Sequence, residues 1–140
     1  MVEVNYWAVF LAAISSMIVG SIWYLPGVFG KPWMKLAHVK IDKNMDKNQM
    51  VMMYLLTFVG SLITAYILAH VAFLSNQFFK NSFFQDTLST AFWLWLGFTA
   101  VRLMVHDLFE GRRKMLTILN AMHELVTVVV MAFIIGLMGA

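Results

Sequence analysis

No cysteine occurs in the chain, which excludes disulfides, thiolate metal sites and thiol catalysis together. Charge is also scarce. Only 12% of the 140 residues are Asp, Glu, Lys or Arg, against roughly 25% in an ordinary soluble domain. Neither a disordered segment nor a free-standing nucleic-acid binder has so little charge and so few polar residues. The beginning of the chain holds Glu3 in place of a Lys/Arg-rich leader, and no small-x-small cleavage site follows the first apolar run. That run is therefore expected to be a retained helix. Also missing are a nucleophile–base arrangement, a glycine-rich phosphate loop and a dinucleotide fingerprint, so neither enzyme activity nor a cofactor is expected.

What the chain has instead is apolar surface. Hydrophobic residues make up 61% of it, more than the interior of one 16 kDa domain can hide. The excess must face a solvent other than water, and the bilayer is the one available. Four apolar stretches, approximately Tyr6–Leu25, Met50–Leu74, Leu88–Leu108 and Met115–Met138, reach the roughly 20 residues a helix needs to cross. They lack the period-2 alternation of a membrane strand, and backbone in lipid must pair internally, so helices follow. The expected fold is an all-α integral membrane protein, a single domain over 1–140, with four transmembrane helices as two antiparallel hairpins.

The basic residues are placed unevenly. Lys31, Lys35, Lys40, Lys43 and Lys47 lie in the first connector, and Arg112, Arg113 and Lys114 in the third. The second connector has only Lys80, and Arg102 lies within a span. With four spans the first and third connectors share a side, and the positive-inside rule makes that side cytoplasmic, both termini outside, in a cell (inner) membrane. The stretches Lys31–Lys47 and Arg112–Lys114 could meet anionic headgroups. Pro26 and Gly27 break the first span. In the second connector, Phe78-Phe79 and Phe83-Phe84 are five residues apart, as in a segment lying flat in the interface. The exits of the first and third spans, Trp23 to Lys31 and Val105 to Arg112, each carry Phe, Gly and then a base, a weak internal repeat.

The pattern Gly20-x-x-Trp23-Tyr24-x-Pro26-x-x-Phe29-Gly30-x-x-Trp33-Met34, followed by Leu108-Phe109-Glu110-Gly111-Arg112 and Leu119-Asn120, resembles small bacterial membrane proteins grouped as domain-of-unknown-function family 1761. The resemblance spans essentially the whole chain. It implies a four-helix integral membrane protein and no particular activity. The Lys-rich segment from Lys35 to Lys47 is the part least typical of it.

Polar groups inside the spans carry the functional reading, because ionisable side chains there are costly. Ala8, Ala12, Ser16 and Gly20 recur every fourth residue, a small-residue face suited to close packing within the subunit or to contact with a second copy, and a homodimer is the expected assembly. Thr57, Ser61 and Thr64 form a stripe whose hydroxyls can bond their own helix. At 100° per residue, Trp95, Thr99, Arg102 and His106 share a face of the third span; Asn120, His123, Glu124 and Thr127 share one on the fourth. The short third connector makes these spans neighbours and brings Arg102 and Glu124 to similar depth.

Three readings of that cluster stay open. It is a structural Arg102–Glu124 pair with Asn120 and His123, a transport site for protons or a small ion, or a metal site at His106-Asp107 and His123-Glu124. The nearby guanidinium and the absence of HExxH spacing weigh against the metal. The scattered methionines and the tryptophans near span ends read as packing and interface residues. The leading functional expectation is a small transporter or channel for protons, ions or a small solute. The alternative is a non-catalytic membrane scaffold or accessory protein.

Overall fold

The computed structural model describes residues 2–40 and 45–139; Lys43 lies outside the described residues. Helices and turns account for all the regular structure among them. The order is α1 (Tyr6–Trp23), α2 (Gly30–Ala37), α3 (Lys47–Phe79), α4 (Phe83–Leu94), a π-helical segment (Trp95–Ala100), α5 (Val101–Phe109) and α6 (Lys114–Met138). The π segment joins α4 to α5, so Phe83–Phe109 is one continuous rod. This rod, α1, α3 and α6 are each long and apolar enough to cross a membrane.

Local chemistry sets the ends of these helices. Asn5 caps α1, its side-chain oxygen accepting from the Ala8 amide at 3.1 Å. Its own amide donates to the Met138 carbonyl at 3.3 Å, which ties the start of α1 to the end of α6. Pro26 cannot continue α1, and the chain turns sharply between Tyr24 and Gly30. Gly30 is buried here, and a Cβ on it would sit 2.1 Å from the Tyr24 carbonyl oxygen. Only glycine fits. The Trp23 and Phe29 rings, 4.4 Å apart, brace the same turn. The third connector turns differently, through Gly111 at φ 65°, so the two exits that look alike in sequence are built in two ways.

At the opposite end the helices outrun the apolar stretches. The second connector shrinks to 80–82, and Phe78-Phe79 and Phe83-Phe84 belong to α3 and α4 in place of a flat interfacial segment. The cause is a polar clamp. The buried Asp86 carboxylate accepts from Asn76 Nδ2 at 2.8 Å and Asn81 Nδ2 at 2.9 Å. Ser82 Oγ accepts from the Gln85 amide, starting α4 at once.

Packing places α1 against α3 and α6, and α4 against the same two helices. The core is rich in alanine: Ala8, Ala12, Ala65, Ala69, Ala91 and Ala132 surround Leu68, Met131 and Ile135. Small side chains let the backbones approach, and dispersion replaces a hydrophobic driving force. Of the small-residue face, Ala8, Ala12 and Ser16 are buried inside this one chain. A contact with a second copy would have to use another face. At Gly136 a Cβ would lie 2.9 Å from the Phe84 ring, which marks the close approach of α4 and α6. The outward surface is apolar: Trp93, Phe98 and Phe109 are 64%, 78% and 91% exposed. A surface of that kind suits lipid and would aggregate in water.

Candidate functional site

The fourth-span stripe points toward α1 and α2. Asn120 Oδ1 accepts the indole N–H of Trp33 at 3.0 Å, anchoring α2 across the end of the bundle. One turn further, the His123 ring lies 5.1 Å from the Tyr24 ring and 5.7 Å from that of Trp23. Its Nδ1 stands 3.4 Å from Glu124 Oε1. Its Nε2 is buried with no hydrogen-bond partner, facing α1 where a Cβ on Gly20 would come within 3.6 Å. A Cβ there would meet the imidazole at ordinary van der Waals distance. Thr127 donates its hydroxyl proton back to the His123 carbonyl at 2.9 Å.

Glu124 and His123 open into a cavity of about 610 Å³ between α1, α3 and α6, within the range of small-molecule sites. From α1 it receives Ser16, Met17, Gly20, Ser21 and Tyr24; from α3, Met53, Tyr54 and the stripe Thr57, Gly60, Ser61 and Thr64. From α6 come Thr127, Val128 and Met131. No Lys or Arg is among the described residues of this lining. The Glu124 side chain is 43% exposed, and the described ion pairs give it no cationic neighbour but His123. A carboxylate within an apolar helix bundle without a Lys or Arg is unusual, because an unpaired charge in low-dielectric surroundings is expensive.

The hydroxyls give the wall a definite polarity. Thr57 donates to the Met53 carbonyl at 2.8 Å, Ser61 to that of Thr57 at 2.9 Å, and Thr64 to that of Gly60 at 3.0 Å. Ser21 donates to the Met17 carbonyl at 2.7 Å. Each proton is used within its own helix, leaving oxygen lone pairs for the cavity. Ser16 Oγ reaches Ser61 Oγ at 2.7 Å and links α1 to α3.

Of the sequence-predicted residues, then, the structure brings together Glu124 and His123, with Ser16 and Gly20, around one cavity. Asn120 is engaged by Trp33 instead. Arg102 and His106 are not part of it. Both are exposed, and no ion pair joins Arg102 to Glu124. The site accordingly lies between the first, second and fourth spans, not between the third and fourth. The π segment is the physical reason. Val101 N–H bonds the Leu96 carbonyl, five residues back, so the turn holds one extra residue and every later face lags by roughly 100°. Trp95, the first residue of the π segment, does face α6 and donates to the Ala121 carbonyl at 2.9 Å. Arg102 and His106, after it, do not.

Two features take roles that the sequence does not announce. Tyr24 and Tyr54 line the cavity although they sit near helix ends, where aromatic residues look like interface anchors. Asp107 is buried, accepts the Thr117 hydroxyl at 2.6 Å and lies 3.7 Å from Arg112 Nε, locking the α5–α6 turn. His106-Asp107 and His123-Glu124 do not combine into a group of three or more metal-ligating side chains among the described residues.

Comparison with known proteins places this architecture. The family described as "Protein of unknown function (DUF1761)" matches residues 7–136. No curated protein and no solved structure matches.

Proposed function

Because the chain belongs to the DUF1761 family, whose description names no activity, we propose from the site itself that it is a small membrane carrier or channel that binds a cation or small solute at Glu124. The single observation behind this reading is the Glu124 carboxylate, with no Lys or Arg beside it among the described residues, in a cavity walled by hydroxyl oxygens. Such a wall attracts positive charge and donors and repels anions. The scaffold alternative rested on an Arg102–Glu124 pair. With Arg102 exposed and unpaired to Glu124, nothing else favours it.

The orientation belongs to the same proposal. The end bearing α2 and the 110–113 turn faces the cytoplasm, so the cavity communicates with the cytoplasmic side first. Lys31 and Lys35 are exposed on α2, available to anionic headgroups at about 1 kcal/mol each. The test is reconstitution into liposomes with a pH-sensitive or cation-sensitive dye inside. The parent protein should dissipate an imposed gradient, and Glu124→Gln should abolish the flux while unfolding at a similar temperature. Equal flux through both proteins would remove Glu124 from the pathway.

A further inference from the structure

The walls of the cavity say more about the ligand than its volume does. On α3 the acceptor oxygens run from Thr57 to Thr64, seven residues or about 10 Å. On α6 the lining runs from Glu124 to Met131, again about 10 Å. Oxygens spread along such a distance cannot converge on one bare metal ion, which needs about six ligands within roughly 2.6 Å. They suit an elongated molecule lying along the groove.

The chemistry of its two ends can be read separately. At one end stand the Glu124 carboxylate and the rings of Tyr24 and Tyr54, a setting for one organic cation held by charge and by aromatic faces. A single carboxylate balances a single positive charge. Thr57, one turn from Tyr54 on α3, stands at this end, and its proton is already given to the Met53 carbonyl, so its oxygen offers the cation an acceptor. Toward the other end Met17, Val128 and Met131 present apolar surface, where flexible thioethers adapt to an alkyl tail.

Resting on the proposed binding role of Glu124, we infer that the ligand is a protonated monoamine with an apolar tail. The ammonium donates to Glu124 and to Thr57 Oγ1, the α3 acceptor at the tyrosine end, and the tail lies against the methionines. A quaternary ammonium of the same length keeps the charge but has no N–H to donate. The corresponding alcohol has a donor but no charge.

The experiment is calorimetric titration of the full chain in lipid nanodiscs, with empty nanodiscs subtracted. The probes are n-pentylammonium, pentyltrimethylammonium, 1-pentanol and potassium ion. Pentylammonium should bind saturably. The quaternary analogue should bind on the order of tenfold more weakly, and pentanol and potassium should not displace the amine. Glu124→Gln should weaken pentylammonium binding by on the order of 10- to 100-fold, the range of a charge-assisted hydrogen bond. Thr57→Val, which removes one acceptor at an exposed position, should weaken it severalfold with an unchanged melting temperature. That variant decides the matter if Glu124→Gln does not fold.

Absence of saturable amine binding, binding indifferent to both variants, or equal or tighter binding of the quaternary analogue overturns the inference. If potassium competes on equal terms, or if Glu124→Gln abolishes liposome flux while the amine never binds, the amine is wrong and the carrier reading stands. If the amine binds through Glu124 but no flux is ever seen, the amine stands and the carrier reading falls.

Discussion

Arg102 and Glu124 provide a sharp test of the helix phase, because a continuous α-helix and the π-interrupted one make opposite predictions for them. If the two formed a buried pair, removing either would strand a charge and cost about 3–5 kcal/mol, with most of that recovered in the double variant. In the structure Arg102 is exposed, the Glu124 side chain is 43% exposed, and no ion pair joins them. Neither removal strands a buried charge. Glu124→Gln should therefore leave stability unchanged or raise it, because it removes a charge whose only ion-pair partner among the described residues is His123. On the membrane reading, Arg102→Met removes a charge from a lipid-facing surface, where insertion scales make arginine unfavourable, by about 2.5–3.5 kcal/mol at a helix centre; it should leave the protein unchanged or more stable. The interaction energy from the double-mutant cycle should stay below about 0.5 kcal/mol, the ordinary limit for independent sites. Equilibrium unfolding in mixed micelles, followed through the five tryptophans, measures all four proteins. A coupling above about 1 kcal/mol, with both single variants clearly destabilised, would refute the phase shift and return Arg102 to the cluster.

The remaining expectations are smaller in scope. Gly30→Ala must move the Tyr24 carbonyl away from a Cβ built 2.1 Å from it, and should cost at least about 1–3 kcal/mol as an overpacking change. Gly27→Ala, with nothing within 4 Å, should melt like the parent in the same thermal scan. Asp107→Ala and Thr117→Val each break the 2.6 Å bond that locks the α5–α6 turn. Each should cost about 1–3 kcal/mol, the aspartate more because Arg112 also loses its neighbour, and the double variant should fall short of the sum. Orientation is open to labelling because the chain has no cysteine. A cysteine at Lys80 should react with an impermeant thiol reagent outside intact cells, and one at Lys35 should not; the reverse pattern would invert the topology.

The sequence by itself determined four apolar helices and their approximate limits, because length and hydropathy depend on composition along the chain and not on partners. It also determined the family, through the Trp23-Tyr24-Pro26 to Phe29-Gly30 block, whose tight turn and ring contact are local. Glu124 and His123 stood out as polar side chains in an apolar run. Their neighbours were decided only in three dimensions. Six residues of π-helix around Gly97 rotate the end of the third span, and no hydropathy pattern reports a change from i→i+4 to i→i+5 bonding. Thr57, Ser61 and Thr64 looked like helix-satisfied hydroxyls, and they are. They line a cavity because α3 turns that stripe toward α6, and packing of α1 against both helices leaves space between them. Faces follow from helical periodicity, but which faces meet depends on crossing geometry and on phase, and both arise from contacts between residues far apart in the chain.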